Sequence, residues 1–142
     1  MSDAYPFVTG FNLVEEAKKL PTFVEFDWDF DTDNFKYDSN GKQKIVTEND
    51  AIKVWVGKAL QTERYQYLAY SWQYGIEVKP FIGKVMQVKE RYLELKRVIV
   101  ECLMVNPYIL SIDSVEFTTT DADTVVADII LTTIYGEVNV NV

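Results

Sequence analysis

Twenty-two acidic side chains and no histidine set the chemical limits of this 142-residue chain. Losing His removes the commonest general base, and the Ser-His and Cys-His nucleophile pairs go with it. Carboxylate chemistry is what remains. A carboxylate pair cleaves glycosides when one acid sits in a cleft with a raised pKa, and nothing in the sequence marks such a cleft. Asp27, Asp29, Asp31 and Asp33 alternate closely enough to invite a calcium reading. Counted from Asp29, however, the sixth position of an EF-hand loop is Asn34 rather than Gly and the twelfth is Asn40 rather than Glu. Repelling carboxylates in alternation read instead as a solvated strand face that discourages unwanted edge pairing. The one cysteine, Cys102, excludes an internal disulfide, and no Cys/His cluster exists for zinc. Gly75 and Gly83 stand isolated, so no phosphate-cradling loop is present. The expectation is no catalytic residue, no metal and no cofactor.

The elements follow from periodicity. Residues 23–31 read as a strand, with Val24, Phe26, Trp28 and Phe30 facing a core and Glu25, Asp27, Asp29 and Asp31 facing water. Asp38-Ser39-Asn40-Gly41 is turn chemistry between two short strands, Phe35 to Tyr37 and Lys44 to Val46. Thr47 with Asp50 starts a helix that runs to about Thr62, with Ile52, Trp55, Val56, Ala59 and Leu60 on one stripe. A longer helix is predicted from Val88 to Leu103, its stripe made by Val88, Tyr92, Leu95, Ile99 and Cys102. That stripe makes Cys102 a buried small hydrophobe rather than a reactive thiol. Pro107 ends the helix and the rest is β: Ile112 to Thr119, a turn at Asp121-Ala122-Asp123, a central strand Val125 to Tyr135 that is apolar on both faces, and a half-buried strand Glu137 to Val142 at an edge. The fold class is α+β, a small mostly antiparallel sheet with two main helices packed on one face. Residues 1–22 form an N-terminal arm, whose short helix is capped by Asn12 with Glu15 and stopped by Pro21; residues 23–142 form one domain.

Apolar residues make up 48% of the chain and charged residues 25%, which is the composition of a domain that folds on its own core. The net charge of −8 argues against nucleic acid and anionic membrane as partners. Charge is also unevenly placed, at −6 over residues 1–50, +4 over 51–105 and −6 over 106–142. Such a chain either pairs these blocks internally or presents a bipolar surface to neighbours. No signal peptide or membrane-spanning run is evident, so the expected location is cytoplasm.

Tyr65, Tyr67, Tyr70, Trp72 and Tyr74 crowd into ten residues between the helices. Rings with one polar atom each suit a corner where helices, sheet and a partner meet. The surrounding motifs Thr62-Glu63-Arg64-Tyr65, Tyr70-Ser71-Trp72, Tyr74-Gly75-Ile76 and Ile82-Gly83-Lys84 resemble the XkdS-like proteins of PBSX-type prophage tails. Those are similar to the wedge proteins, once labelled lysozyme-like, of contractile phage baseplates. Thr22-Phe23 through Asp31 resembles that family's opening strand, and Thr133-Ile134-Tyr135-Gly136-Glu137 its closing strands.

The resemblance implies a non-enzymatic structural baseplate wedge component and sheath initiator, present in about six copies around a tail tube. Its implied location is a tail particle assembled in the host bacterial cytoplasm. Its implied partners are other wedge proteins and the tail sheath protein, with tube or hub proteins as further candidates. In the place of the wider family's Glu-Pro-Arg-Ile docking segment stands Asn106-Pro107-Tyr108-Ile109, which keeps the proline and isoleucine and loses both charges, so that the contact either is lost or is carried by Tyr108 and hydrogen bonds. Expected partner-binding residues are Glu63, Arg64 and Tyr65, then Asn106, Pro107 and Tyr108, and finally Val138, Val140 and Val142 on an edge strand open to strand addition. Two other readings stand beside it. One is an acidic cytoplasmic adaptor for a basic partner; the other, from the lysozyme-like label, is a glycosidase pairing Glu63 with a first-strand aspartate.

Overall fold

The computed structural model describes residues 20–67, 69–81, 85–121 and 124–142. The expected arm helix before Leu20, the Ile82-Gly83-Lys84 motif and the turn residues 122 and 123 lie outside them. The architecture is α+β, with two helices and small antiparallel sheets. Strands β1 (Val24–Phe26) and β4 (Ile45–Thr47) form one ladder, and β2 (Trp28–Asp29) and β3 (Asn34–Phe35) another. The main sheet orders β5 (Ile109–Asp121), β6 (Thr124–Thr133) and β7 (Gly136–Asn141), with β6 central as expected, although only its Ala127-Ile129-Leu131 face is buried and the other carries the half-buried Asp128, Ile130 and Thr132.

Helix α1 spans Glu48–Gln61, with Glu48 and Asp50 in its first turn and Lys58 in its last, charges that complement the helix dipole. It buries Ile52, Val56 and Ala59 against the core. Helix α2 spans Val88–Leu103, the expected limits, but its stripe is only partly buried. Val98, Ile99, Cys102 and Leu103 are buried, whereas Val88 at the other end of the stripe is 61% exposed. The core closes over the C-terminal half of α2. Its N-terminal half meets the sheet through Tyr92, stacked on Phe117 at 5.1 Å. Ala127, Ile129 and Leu131 of β6 and Val138 and Val140 of β7 complete the core beneath both helices.

The first strand departs from its expected alternation. The chain pairs with β4 up to Phe26 and with β3 from Trp28, and the changeover falls on Asp27. That residue is buried, its Oδ1 accepting the Trp28 N–H at 3.0 Å and its Oδ2 facing Lys44 at 3.6 Å and Lys36 at 3.9 Å. Switching partners there turns the carboxylate inward, while Val24 and Phe26 are exposed. The turn at 38–41 forms as expected: Asp38 Oδ1 accepts the N–H groups of Asn40 and Lys42 at 2.8 and 3.0 Å, and Gly41 takes φ of 79°.

Candidate functional site

Among the described residues strand β7 is an edge, with β6 on one side only. Ala127 and Val142 exchange both backbone hydrogen bonds, Ala127 N–H to Val142 O at 2.7 Å and Val142 N–H to Ala127 O at 2.9 Å. Antiparallel pairs alternate, so stepping by two along the register makes Ile129↔Val140, Leu131↔Val138 and Thr133↔Gly136 the other bonded pairs. The amides and carbonyls of Glu137, Asn139 and Asn141 therefore point away from β6. Asn139 and Asn141, though not Glu137, line a groove of ≈610 Å³ whose opposite wall is α1 and the β1–β4 region, including Phe30, Lys44, Lys53 and Gly57. A Cβ at Gly57 would lie 2.4 Å from the Phe30 ring, so a larger residue there must displace that ring.

The sequence named Val138, Val140 and Val142 for this edge. The first two bury their side chains in the core and Val142 lies at the rim of the groove. The residues that present free backbone are the intervening ones, which sequence reasoning missed. A two-residue turn closed by Thr133 and Gly136 would have fixed the bonded set. That turn is reinforced by Thr133, whose hydroxyl donates to Asn49 Oδ1 at 2.6 Å and accepts the Tyr135 N–H at 3.0 Å.

The second candidate region is the aromatic corner. Arg64 N–H donates to Ile76 O and Ile76 N–H to Thr62 O, both at 2.9 Å, which closes residues 62–76 into a loop. Gly75 permits it with φ of 103°, where a Cβ would lie 2.7 Å from Thr62 O. Within the loop Glu63 Oε1 accepts the Lys79 N–H at 3.2 Å, and Arg64 Nε donates to Trp72 O at 2.9 Å. Both charged residues thus hold the loop itself. Tyr65, at φ of 66° with the Arg64 guanidinium 4.8 Å from its ring, packs on Trp72 at 5.5 Å and leaves that indole 72% exposed.

A groove of ≈280 Å³ joins this loop, through Ser71, Gln73 and Tyr74, to Val105, Asn106, Pro107 and Tyr108. Asn106 is buried, its Oδ1 accepting the Tyr108 N–H at 3.0 Å. Tyr108 is only 8% exposed; its hydroxyl donates to Pro21 O at 2.6 Å and its ring meets Phe23 edge-on at 4.7 Å. Tyr108 therefore forms the floor of a groove rather than a projecting anchor, and Ser71, Gln73, Val105 and Pro107 are its exposed members.

Asp29 is held below the usual carboxylate range by the backbone N–H groups of Asp31 and Thr32. Glu63 is not among the residues lining the large groove. Burial pushes the Cys102 thiol up to about 12, which leaves it protonated at neutral pH.

A family model for the contractile injection system sheath initiator matches residues 24–136. The chain belongs to that family. Curated proteins give no match. Membership makes this sheath initiator a structural component of a contractile injection system, one that interacts with sheath and baseplate components in a tail or baseplate particle. The matched span includes both helices, the aromatic corner and the first residue of β7; the open edge lies just beyond it.

Proposed function

We propose that this chain is the non-enzymatic wedge component that starts the sheath of a contractile phage tail or phage-tail-like particle, of the XkdS-like kind. In this reading one surface fixes it to neighbouring wedge proteins and another nucleates the sheath. The free edge of β7, opening on a groove with room for one extended segment, is the observation that supports the second role. Glu137, Asn139 and Asn141 offer six backbone hydrogen-bonding groups outward. At about 1 kcal/mol net for each bond they would contribute roughly 6 kcal/mol, an affinity of tens of micromolar. About six copies in a ring would raise that to stable attachment through effective concentration. The wedge-facing surface is the groove between Tyr74 and Pro107, with Trp72 and Tyr65 beside it as aromatic anchors.

Asn139→Pro tests the edge, because it removes one outward amide and leaves the bonds to β6 in place. The variant is expected to fold, to enter baseplates and to yield tails without sheath by electron microscopy. Normal sheaths on such baseplates would overturn the strand-addition reading. Val105→Asp, on the exposed rim of the second groove, is expected to lose capture of neighbouring wedge proteins in pull-downs while remaining folded.

A further inference from the structure

The acidic C-terminal block has a place in the fold. Residues 106–142 carry Asp113, Glu116, Asp128 and Glu137 among their acids and no lysine or arginine. Since Ala127, Ile129 and Leu131 face the helices, their neighbours Asp128, Ile130 and Thr132 face the other side of the sheet. On that side Glu116 stands directly opposite Asp128. Like charges so placed repel. Asn141 relieves one oxygen, donating from Nδ2 to Asp128 Oδ1 at 2.6 Å, but no ion pair among the described residues reaches either acid. The result is a face that neither helix among the described residues covers, with Ile130 at its centre and carboxylates around it.

A complementary strip lies on the helical side. Lys89, Leu93 and Lys96 follow one another along the outward face of α2, above a groove of ≈340 Å³ floored by Tyr92, Val115 and Phe117. Leu93 is 68% exposed, and neither lysine is in an ion pair among the described residues. By contrast Arg97 is already held by Glu94 at 3.0 Å and Glu101 at 2.8 Å.

We infer that the face of β5-β6-β7 opposite α1 and α2 docks on the Lys89-Leu93-Lys96 strip of a second copy of this chain. The argument is charge complementarity: one molecule carries an apolar centre between cations and an apolar centre among anions, on opposite sides. Because the two patches face different ways, a two-fold dimer cannot satisfy both. The contact is head-to-tail and propagates into a ring or an open string. It uses neither the β7 edge nor the Tyr74–Pro107 groove, so it stands or falls apart from the proposed function.

Sedimentation of the full chain tests it. At low salt the average mass should rise with concentration, and it should return to the monomer as salt screens the contact. Glu116→Lys disables the anionic patch and gains an opposite-charge cross-strand partner in Asp128, so it should melt no earlier than wild type. If it melts early, Glu116→Gln with a partial loss of association replaces it. Lys89→Glu with Lys96→Glu disables the cationic strip. Each variant alone should stay monomeric, while an equimolar mixture should form dimers and nothing larger, because each supplies the patch the other lacks. A wild type that remains monomeric overturns the inference. So does association that survives both variants, which would point to another surface such as the β7 edge or residues 1–19, or a mixture that stays monomeric.

Discussion

Strands β5 and β7 both flank β6, yet β5 shifts register at three places, between Ile109 and Ser111, Ile112 and Ser114, and Thr119 and Asp121, while β7 keeps one register from Gly136 to Asn141. Bulges twist a strand away from flatness and are a common way of blunting an edge against unwanted pairing. Asp113 lies within one of these irregularities and stitches it, its Oδ1 accepting from the Ser111 hydroxyl at 2.8 Å and its Oδ2 from the Thr132 hydroxyl at 2.6 Å. Nothing comparable interrupts β7. One edge is protected by its own geometry; the other is regular, short and open to a groove. The lesson is that receptivity is built into backbone regularity, since after Gly136 the side chains of β7 are one glutamate and alternating valines and asparagines.

Removing what both edges share should have the largest effect. Leu131 is fully buried on β6. Leu131→Ala is expected to cost about 2–5 kcal/mol in denaturant unfolding and to weaken both edges alike. A loss confined to one edge would show that they do not rest on a common core.

Next in size is the contrast between neighbouring prolines on β7. Val140 is buried and its N–H serves the ladder to Ile129, so Val140→Pro should cost about 1–3 kcal/mol for the carbonyl left unpaired, with further loss from packing. Asn139→Pro should cost under about 1 kcal/mol and abolish sheath growth instead. Equal stability losses would mean that the hydrogen-bonding phase of β7 has been assigned wrongly.

Gly57→Ala probes the groove without touching the strand. The added methyl must displace the Phe30 ring, which lines the same groove, so capture of a sheath segment should weaken while the melting temperature changes little. Unchanged capture would separate the groove from the edge.

The smallest expected effect is of pH. The Thr132 and Ser111 hydroxyls hold the Asp113 carboxyl below the usual carboxylate range. A group depressed in the folded state stabilises above its unfolded pKa, about 4, and that contribution is lost as pH falls through the lower folded value. Hydrogen exchange should therefore loosen around Ser111 to Ser114 in acid before it loosens in β7, and Asp113→Asn should remove the difference.

Much of this was legible in the residues. Both helices lie within a residue or so of their expected limits, because apolar spacing and the residues flanking each helix are local properties. The same holds for the turn at Asp38–Gly41 and for β6 as the central strand. The sheath-initiator resemblance also rested on local motifs, and the family match covers most of them. Other features depended on which distant segment came to lie alongside. Asp27 turns inward because β3 and β4 claim successive parts of one strand. Tyr108 is buried because Pro21, 87 residues earlier in the chain, accepts its hydroxyl and Phe23 covers its ring. The α2 stripe is buried at Ile99 and Cys102, half-buried at Tyr92 and Leu95 and exposed at Val88 because the core ends before the helix does. The outward amides of β7 follow from the phase of its ladder with β6. Residue types fix periodicity and propensity within a segment, whereas burial and free edges are set by pairings across the chain, and only the tertiary structure decides those.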